Sequence, residues 1–202
     1  MSKLIEVFAG HGLSASGSYD SGAVNVHYEM SETLMTWRIV GAMKGMWDSS
    51  SLPQVSTLTP EVRLHCFPYP MSLDRKIKTV NRDRPYLGID VHLNAPLDPA
   101  DNINRGTEVL CYSLAGKSGK CARVFQRHLL EALRGTLLGG LDRGVKVRQD
   151  LRFITKTQPS TIITESEFIT CNEVARALRD TDLVNKIAQA HILAILEIGG
   201  WK

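Results

Sequence analysis

The chain has 202 residues, of which 43% are hydrophobic and 22% are charged, and its formal net charge is +3. These proportions are typical of a globular protein and exclude a disordered or fibrous chain. The charge is too small to indicate nucleic-acid binding by itself. The length suits one domain, and we expect residues 1–202 to form a single one.

No segment of the sequence is typical of export or of membrane insertion. The apolar run near the N-terminus, Leu4–Ala9, is short and contains Glu6, and no apolar run is long enough to span a bilayer. The four cysteines form no CxxC pair, so we expect reduced and mostly buried thiols. We therefore expect synthesis in the cytoplasm without a signal peptide.

The first half of the chain alternates between strand and helix patterns. Leu4–Ala9 is a buried strand pattern that ends in a Gly-His-Gly loop. Apolar residues between Glu29 and Trp47 recur at steps of three and four, which predicts a helix. Glu61–Phe67 alternates as a strand does, Ser72–Arg82 has helical spacing, and Leu87–Leu93 predicts a further strand.

The second half continues this alternation. The clearest amphipathic pattern predicts a helix over Ser118–Leu138. The other predicted elements are the strands Thr107–Tyr112, Phe153–Thr155 and Thr161–Thr164 and the helices Glu173–Leu178 and Leu183–Ile198. The pattern predicts an α/β fold: a single domain with a twisted, mostly parallel sheet flanked by helices.

Side chains that can bind a metal ion lie where predicted strands meet loops. His11 follows the first strand, Glu29 opens the first long helix, and His92 lies at the end of a strand. Sites in open α/β sheets gather at the carboxyl ends of the strands, and two imidazoles with one carboxylate can hold Zn²⁺ while leaving a position for water. Spacing does not separate Glu29 from Glu32, one helical turn later, and His27 is a further alternative.

Six segments, taken in chain order, are similar to the motifs of one enzyme family. They resemble the zinc-dependent N-acetylmuramoyl-L-alanine amidases, which include bacterial cell-wall amidases and phage endolysins. In three places the sequence departs from the family pattern, with Lys76 for arginine, Glu167 for glycine and Cys171 for asparagine. The six segments are Gly10-His11-Gly12, Gly22-Ala23-Val24 followed by Glu29, Ser72 to Asn81, Asp90 to Ala95, Arg143-Gly144-Val145-Lys146, and Pro159 to Ile169.

The resemblance implies one Zn²⁺ per chain, bound by His11, Glu29 and His92. It also implies that Glu165 is the catalytic glutamate, a general acid–base group beside the metal. Glu167 leaves an ambiguity, because residues two apart in a strand share one face of the sheet.

The function implied by the resemblance is hydrolysis of the amide between N-acetylmuramic acid and L-alanine in bacterial peptidoglycan. We expect a phage endolysin without a separate wall-binding domain, made in the host cytoplasm and acting on the cell wall after release. We expect peptidoglycan as its partner, with no nucleic acid and no stable membrane insertion. The alternatives are another zinc peptidoglycan hydrolase, such as a carboxypeptidase of the stem peptide, and a non-catalytic wall-binding protein on the same fold.

Basic residues are concentrated in one part of the chain. The stretch Lys117–Arg152 has nine lysines and arginines against three acidic residues. A solvated helix face would explain this bias, and so would attraction to the phosphate and carboxylate groups of a cell envelope.

Overall fold

The computed structural model describes residues 2–52, 55, 62–96 and 103–200. Within these residues, six strands form the central sheet, and six helices with bounds in the described ranges accompany it. The strands are β1 (Lys3–Ala9), β2 (Val62–Phe67), β3 (Leu87–Asn94), β4 (Thr107–Cys111), β5 (Asp142–Val147) and β6 (Thr161–Phe168). The helices are α1 (Glu32–Asp48), α2 (Leu73–Asp83), α3 (Lys117–Arg134), α4 (Arg152–Thr155), α5 (Asn172–Ala177) and α6 (Thr181–Gly199).

The sheet is mostly parallel and has the strand order β5-β4-β6-β3-β1-β2. Strand β1 pairs in parallel with β2 and β3, and β3 pairs in parallel with β6. Strands β4 and β5 are parallel to each other, but β4 is antiparallel to β6. The N-terminal ends of β4 and β5 therefore lie at the same end of the sheet as the carboxyl ends of β1, β3 and β6.

Helices cover both faces of the sheet. On one face, α1, α3 and α6 pack together over the main apolar cluster, which includes Ile89 and Phe125. On the other face, α2 and α4 cover a smaller cluster in which the rings of Phe8 and Phe67 stack with their centroids 4.7 Å apart. The predicted single α/β domain with a mostly parallel sheet is confirmed.

Local signals determine where several helices begin and end. Ser31 caps the start of α1 by accepting a hydrogen bond from the backbone N–H of Leu34, and Ser72 caps α2 in the same way. Helix α6 ends at Gly199, and the residue that caps it, Gly200, has a φ of 118°, which suits glycine. No helix in the described part of the chain is both long enough and apolar enough to cross a membrane.

Some predicted elements differ from the observed ones. Phe153–Thr155, predicted as a strand, belongs to the short helix α4, in which the N–H of Lys156 donates to the carbonyl of Arg152. A run of three apolar or β-branched residues is too short for periodicity to distinguish strand from helix. The helix predicted from Ser118 ends at Arg134, before Leu138. Glu61, at the start of a predicted strand, lies outside the described residues.

Candidate metal site and its surroundings

His11, Glu32 and His92 form one cluster at the carboxyl ends of β1 and β3. Their potential ligand atoms all lie within 4.8 Å of one another. Nε2 of His11 is 3.1 Å from Oε2 of Glu32, and Nδ1 of His92 is 2.8 Å from Oε1 of the same carboxylate. Two imidazoles and one carboxylate that converge in this way can hold a metal ion.

The structure places Glu32 in this group, and not Glu29, which the sequence analysis names as the ligand. Glu29 is exposed, with a positive φ of 50°, in the turn that precedes the short strand Met30–Ser31. Helix α1 therefore starts three residues later than predicted, at Glu32, which is buried. His27 is also exposed and does not belong to the group.

Backbone geometry brings the two histidines and the glutamate together. His11 follows β1 in a left-handed conformation with a φ of 55°. The N–H of Gly10 donates to the carbonyl of Val91, and a Cβ on Gly10 would come within 2.9 Å of the His92 ring. Gly22 has a φ of 62°, and a Cβ there would lie 2.5 Å from His11. The glycines thus leave the space that the His11 and His92 side chains occupy.

Backbone amides orient the carboxylate of Glu32. Oε2 accepts a hydrogen bond from the N–H of Ala23 at 3.0 Å, and Oε1 accepts one from the N–H of Leu93 at 3.1 Å. Burial alone would raise the pKa of Glu32, but hydrogen bonds from His11 and His92 hold that pKa well below its usual range. The carboxylate therefore remains ionised, as a metal ligand must.

Two further carboxylates contact the histidines on the side away from Glu32. Oδ2 of Asp20 is 2.9 Å from Nδ1 of His11, and Oδ2 of Asp90 is 3.3 Å from Nε2 of His92. Burial would lower the pKa of His92, but Asp90 and Glu32 raise it well above the usual value. Carboxylates in this position commonly orient metal-binding histidines, and sequence analysis identified neither aspartate as part of the site.

Asp90 also forms a buried ion pair beneath the site. Its Oδ1 lies 2.8 Å from Nζ of Lys76, and both side chains are 3% exposed. Lys76 comes from α2, so this ion pair connects that helix to strand β3. The signal available in the sequence was the lysine at a position where the family pattern has arginine.

Glu165 lies beside the cluster on the neighbouring strand. It is the register partner of His92 across the β3–β6 pair, so the two side chains share one face of the sheet. Its Oε2 is buried and has no hydrogen-bond partner among the described residues. Burial raises the pKa of Glu165 to about 8, an effect that the charge of Glu32 reinforces and that of His92 opposes.

Glu167 is bound to the backbone. Its Oε2 accepts hydrogen bonds from the N–H groups of Gly106 at 2.7 Å and Phe168 at 3.4 Å. Burial raises the pKa of Glu167, although these N–H groups oppose the shift. The two glutamates thus differ in their surroundings: Glu165 lies beside His92, whereas Glu167 holds the turn before β4.

A cavity of about 250 Å³ opens beside the two histidines. Its polar wall includes the Lys76–Asp90 pair, and most of the remaining wall is apolar. A substrate group bound here would lie next to His92. The lining residues are His11, Leu13, Asp20, Met71, Leu73, Lys76, Asp90, His92, Leu151, Arg152, Phe153 and Ile163.

The chain is similar to known proteins over most of its length. A family model described as N-acetylmuramoyl-L-alanine amidase matches residues 5–197. None of the curated proteins matches the chain.

Several solved structures share the fold. The catalytic domain of CwlV, an N-acetylmuramoyl-L-alanine amidase from Bacillus (Paenibacillus) polymyxa var. colistinus, has a TM-score of 0.75 and 21% identity, with 97% of each chain covered. An N-acetylmuramoyl-L-alanine amidase from Clostridium difficile 630 has a TM-score of 0.76 and 16% identity, covering 97% of this chain and 96% of that one. The catalytic domain of the CD27L endolysin, which targets Clostridia difficile, has a TM-score of 0.69 and 20% identity, covering 96% and 97%.

Proposed function

We propose that this chain, which belongs to the N-acetylmuramoyl-L-alanine amidase family, is a zinc-dependent enzyme that hydrolyses the amide between N-acetylmuramic acid and L-alanine in peptidoglycan. The observation that supports this most directly is the group formed by His11, Glu32 and His92, with Glu165 beside it. The site thus combines a set of metal ligands with a carboxyl group that does not belong to that set.

The donor atoms suit zinc. Imidazole nitrogen and carboxylate oxygen are both ordinary zinc ligands, and three protein ligands leave a position for water or substrate. When bound, the ion would lower the pKa of water from about 15.7 to about 7 and would polarise the scissile carbonyl. Asp20 and Asp90 would hold the rings of His11 and His92 in the orientation that binding requires.

We assign Glu165 the role of general base and then general acid. It would take a proton from the attacking water and deliver it to the amine nitrogen of L-alanine as the amide bond breaks. An amine leaves readily only when protonated, so amide hydrolysis needs such a group. Burial raises the pKa of Glu165, and proton transfer is most efficient when the pKa lies near the working pH.

Product analysis on purified peptidoglycan tests this function. The purified protein with zinc should release new L-alanine amino groups and leave lactyl carboxylates on the glycan. A chelator should abolish the release, and added Zn²⁺ should restore it. Release of D-alanine would indicate a stem-peptide carboxypeptidase, and binding to the wall without any product would indicate a non-catalytic protein. Either result would contradict the proposal.

We also propose that the enzyme acts as a phage endolysin that reaches the wall from the cytoplasm. The support is that the catalytic domain of an endolysin shares this fold. Cells that express the protein in the cytoplasm should grow normally until their membrane is permeabilised and should then lyse. Cells that express the Glu165→Gln variant should not lyse under the same treatment. Lysis without permeabilisation would contradict this role.

A further inference from the structure

A pair of basic side chains lies on the catalytic face of the sheet, two strands from Glu165. Arg143 and Lys146 both belong to β5, at the edge of the sheet. Nε of Arg143 and Nζ of Lys146 lie 2.8 Å and 2.6 Å from Oε2 of Glu108. Glu108 is in turn the register partner of Glu165 across the β4–β6 pair.

The carboxylate of Glu108 is buried and holds these cations in place. Its side chain is 8% exposed, and its Oε1 accepts a hydrogen bond from Nδ2 of Asn94. Burial would raise the pKa of Glu108, but Lys146 and Arg143 lower it, so the group remains ionised. One carboxylate is thus in contact with two cations, and the further acidic group that Arg143 influences, Glu167, has its pKa raised by burial.

Arg143 is held rigidly with one edge of its guanidinium free. Its Cζ lies 4.7 Å above the ring of Phe168, and its stem passes so close to Gly106 that a Cβ there would come within 2.9 Å. Nε is bonded to Glu108, but neither Nη atom has a hydrogen-bond partner within the described ranges. The Nη edge of a fixed guanidinium matches the two oxygens of a carboxylate.

Solvent can reach both cations. The side chains of Arg143 and Lys146 are 31% and 41% exposed, although each already contacts Glu108. An ion pair that served only to neutralise Glu108 would need a single cation. The second cation and the Nη edge of the guanidinium are therefore available to an anion from solution.

We propose that Arg143 and Lys146 bind a free carboxylate of the peptide that the enzyme releases. This inference rests on the proposed function and specifies which substrates that site prefers. The peptide after L-alanine continues with a D-glutamate linked through its side chain, which leaves the α-carboxylate free. Adjacent strands are about 4.8 Å apart, and Arg143 extends from β5 back to Glu108 on β4, one strand from Glu165. Two residues of extended chain reach about 7 Å, so a peptide that runs from Glu165 across β4 brings this carboxylate toward Arg143.

The test compares two muramoyl peptides that differ in one group, namely a free α-carboxylate or a primary amide on the second residue. Wild type should cleave the carboxylate form with a kcat/KM at least about tenfold higher, as expected for a charge-assisted bidentate contact. The Arg143→Gln variant should lose that factor on the carboxylate substrate and change less than about twofold on the amide substrate. Arg134→Gln, which removes the same charge from the exposed end of α3, is the matched control and should keep the preference.

A third substrate, amidated only at the peptide's C-terminus, separates the α-carboxylate from the terminal one. If Arg143→Gln lowers kcat/KM equally on all substrates, its role is structural and the proposal is overturned. The proposal is also overturned if Arg143→Gln keeps the preference for the carboxylate substrate. If Arg143→Gln does not fold, Lys146→Gln should weaken the same preference. Calorimetric binding of the released peptide, in its carboxylate and amide forms, tests the site without turnover. If the carboxylate form binds more tightly and this preference is lost in Arg143→Gln, the carboxylate site is supported even if the amidase assignment fails. If no such preference is found, the carboxylate site is overturned and the amidase assignment is unaffected.

Discussion

Replacing Lys76 by methionine should destabilise the protein far more than replacing an exposed lysine. Both side chains of the Lys76–Asp90 pair are 3% exposed, and their charged atoms are 2.8 Å apart. The substitution keeps the apolar stem of the side chain but leaves the carboxylate of Asp90 buried without its ammonium partner. His92 remains 3.3 Å from that carboxylate and offsets part of the loss.

The expected magnitude follows from the burial of the pair. Removing one partner of a buried ion pair typically costs about 3–5 kcal/mol, because the remaining charge stays desolvated. For a chain of this length, each kcal/mol corresponds to about 2–4 °C in Tm, so the transition should fall by about 6–20 °C. Adding Asp90→Asn to Lys76→Met should recover part of the loss, since the double variant no longer buries an unpaired charge.

Urea unfolding followed by circular dichroism measures this effect, with a chelator present so that metal binding does not contribute. Lys44→Met is the matched control. Its ion pair with Asp48 joins side chains that are 50% and 58% exposed, and its loss should cost at most about 1 kcal/mol. A loss of at most about 1 kcal/mol for Lys76→Met, or a double variant less stable than Lys76→Met alone, would refute this account.

Three further predictions concern carboxylates. Glu165→Gln should lower turnover on peptidoglycan by about 10²–10⁴-fold with zinc content unchanged. Glu167→Gln should keep most of the activity, because its amide oxygen can still accept the hydrogen bond from the N–H of Gly106. Glu32→Ala should lose stoichiometric zinc by elemental analysis, and Glu29→Ala should retain it; the reverse would restore Glu29 as the ligand. Burial, reinforced by Asp83, raises the pKa of Glu6 from 4.5 to about 8, so its neutral form favours the folded state at low pH. That contribution is lost as the pH rises toward 8, with a slope of at most about 1.4 kcal/mol per pH unit, and Glu6→Gln should show a flatter profile of unfolding free energy between pH 5 and 8.

Strong periodicity is the reason that the main elements could be predicted from the sequence. The apolar stripe of α3 recurs with the period of a helix, and the short apolar runs of β1 and β3 are typical of central strands that are buried on both faces. The reversed direction of β4 and β5 could not be predicted in the same way. Strand patterns determine which side chains share a face, but not the direction in which the strand enters the sheet.

The candidate site was predictable in part. His11 and His92 follow from their places after β1 and at the end of β3, and the family resemblance drew attention to Glu165. The carboxylate beside the histidines is Glu32 and not Glu29, because two residues at Met30–Ser31 pair as a strand and the helix begins only at Glu32. A pairing of two residues leaves no periodic signal. The roles of Asp20 and Asp90 depend on contacts between distant segments, which no local pattern encodes.

Because β4 and β5 run opposite to the other strands, two different sets of chain segments meet at the end of the sheet that carries the candidate site. The segment after β1 provides His11 and the end of β3 provides His92, while the segment that leads into β4 provides Gly106 and the start of β5 provides Arg143. Mutations in the second set can reshape the region that meets the peptide without moving a metal ligand. The fold thus lets substrate preference evolve separately from the hydrolytic chemistry, and exchanging residues 139–146 between relatives is a direct way to transfer that preference.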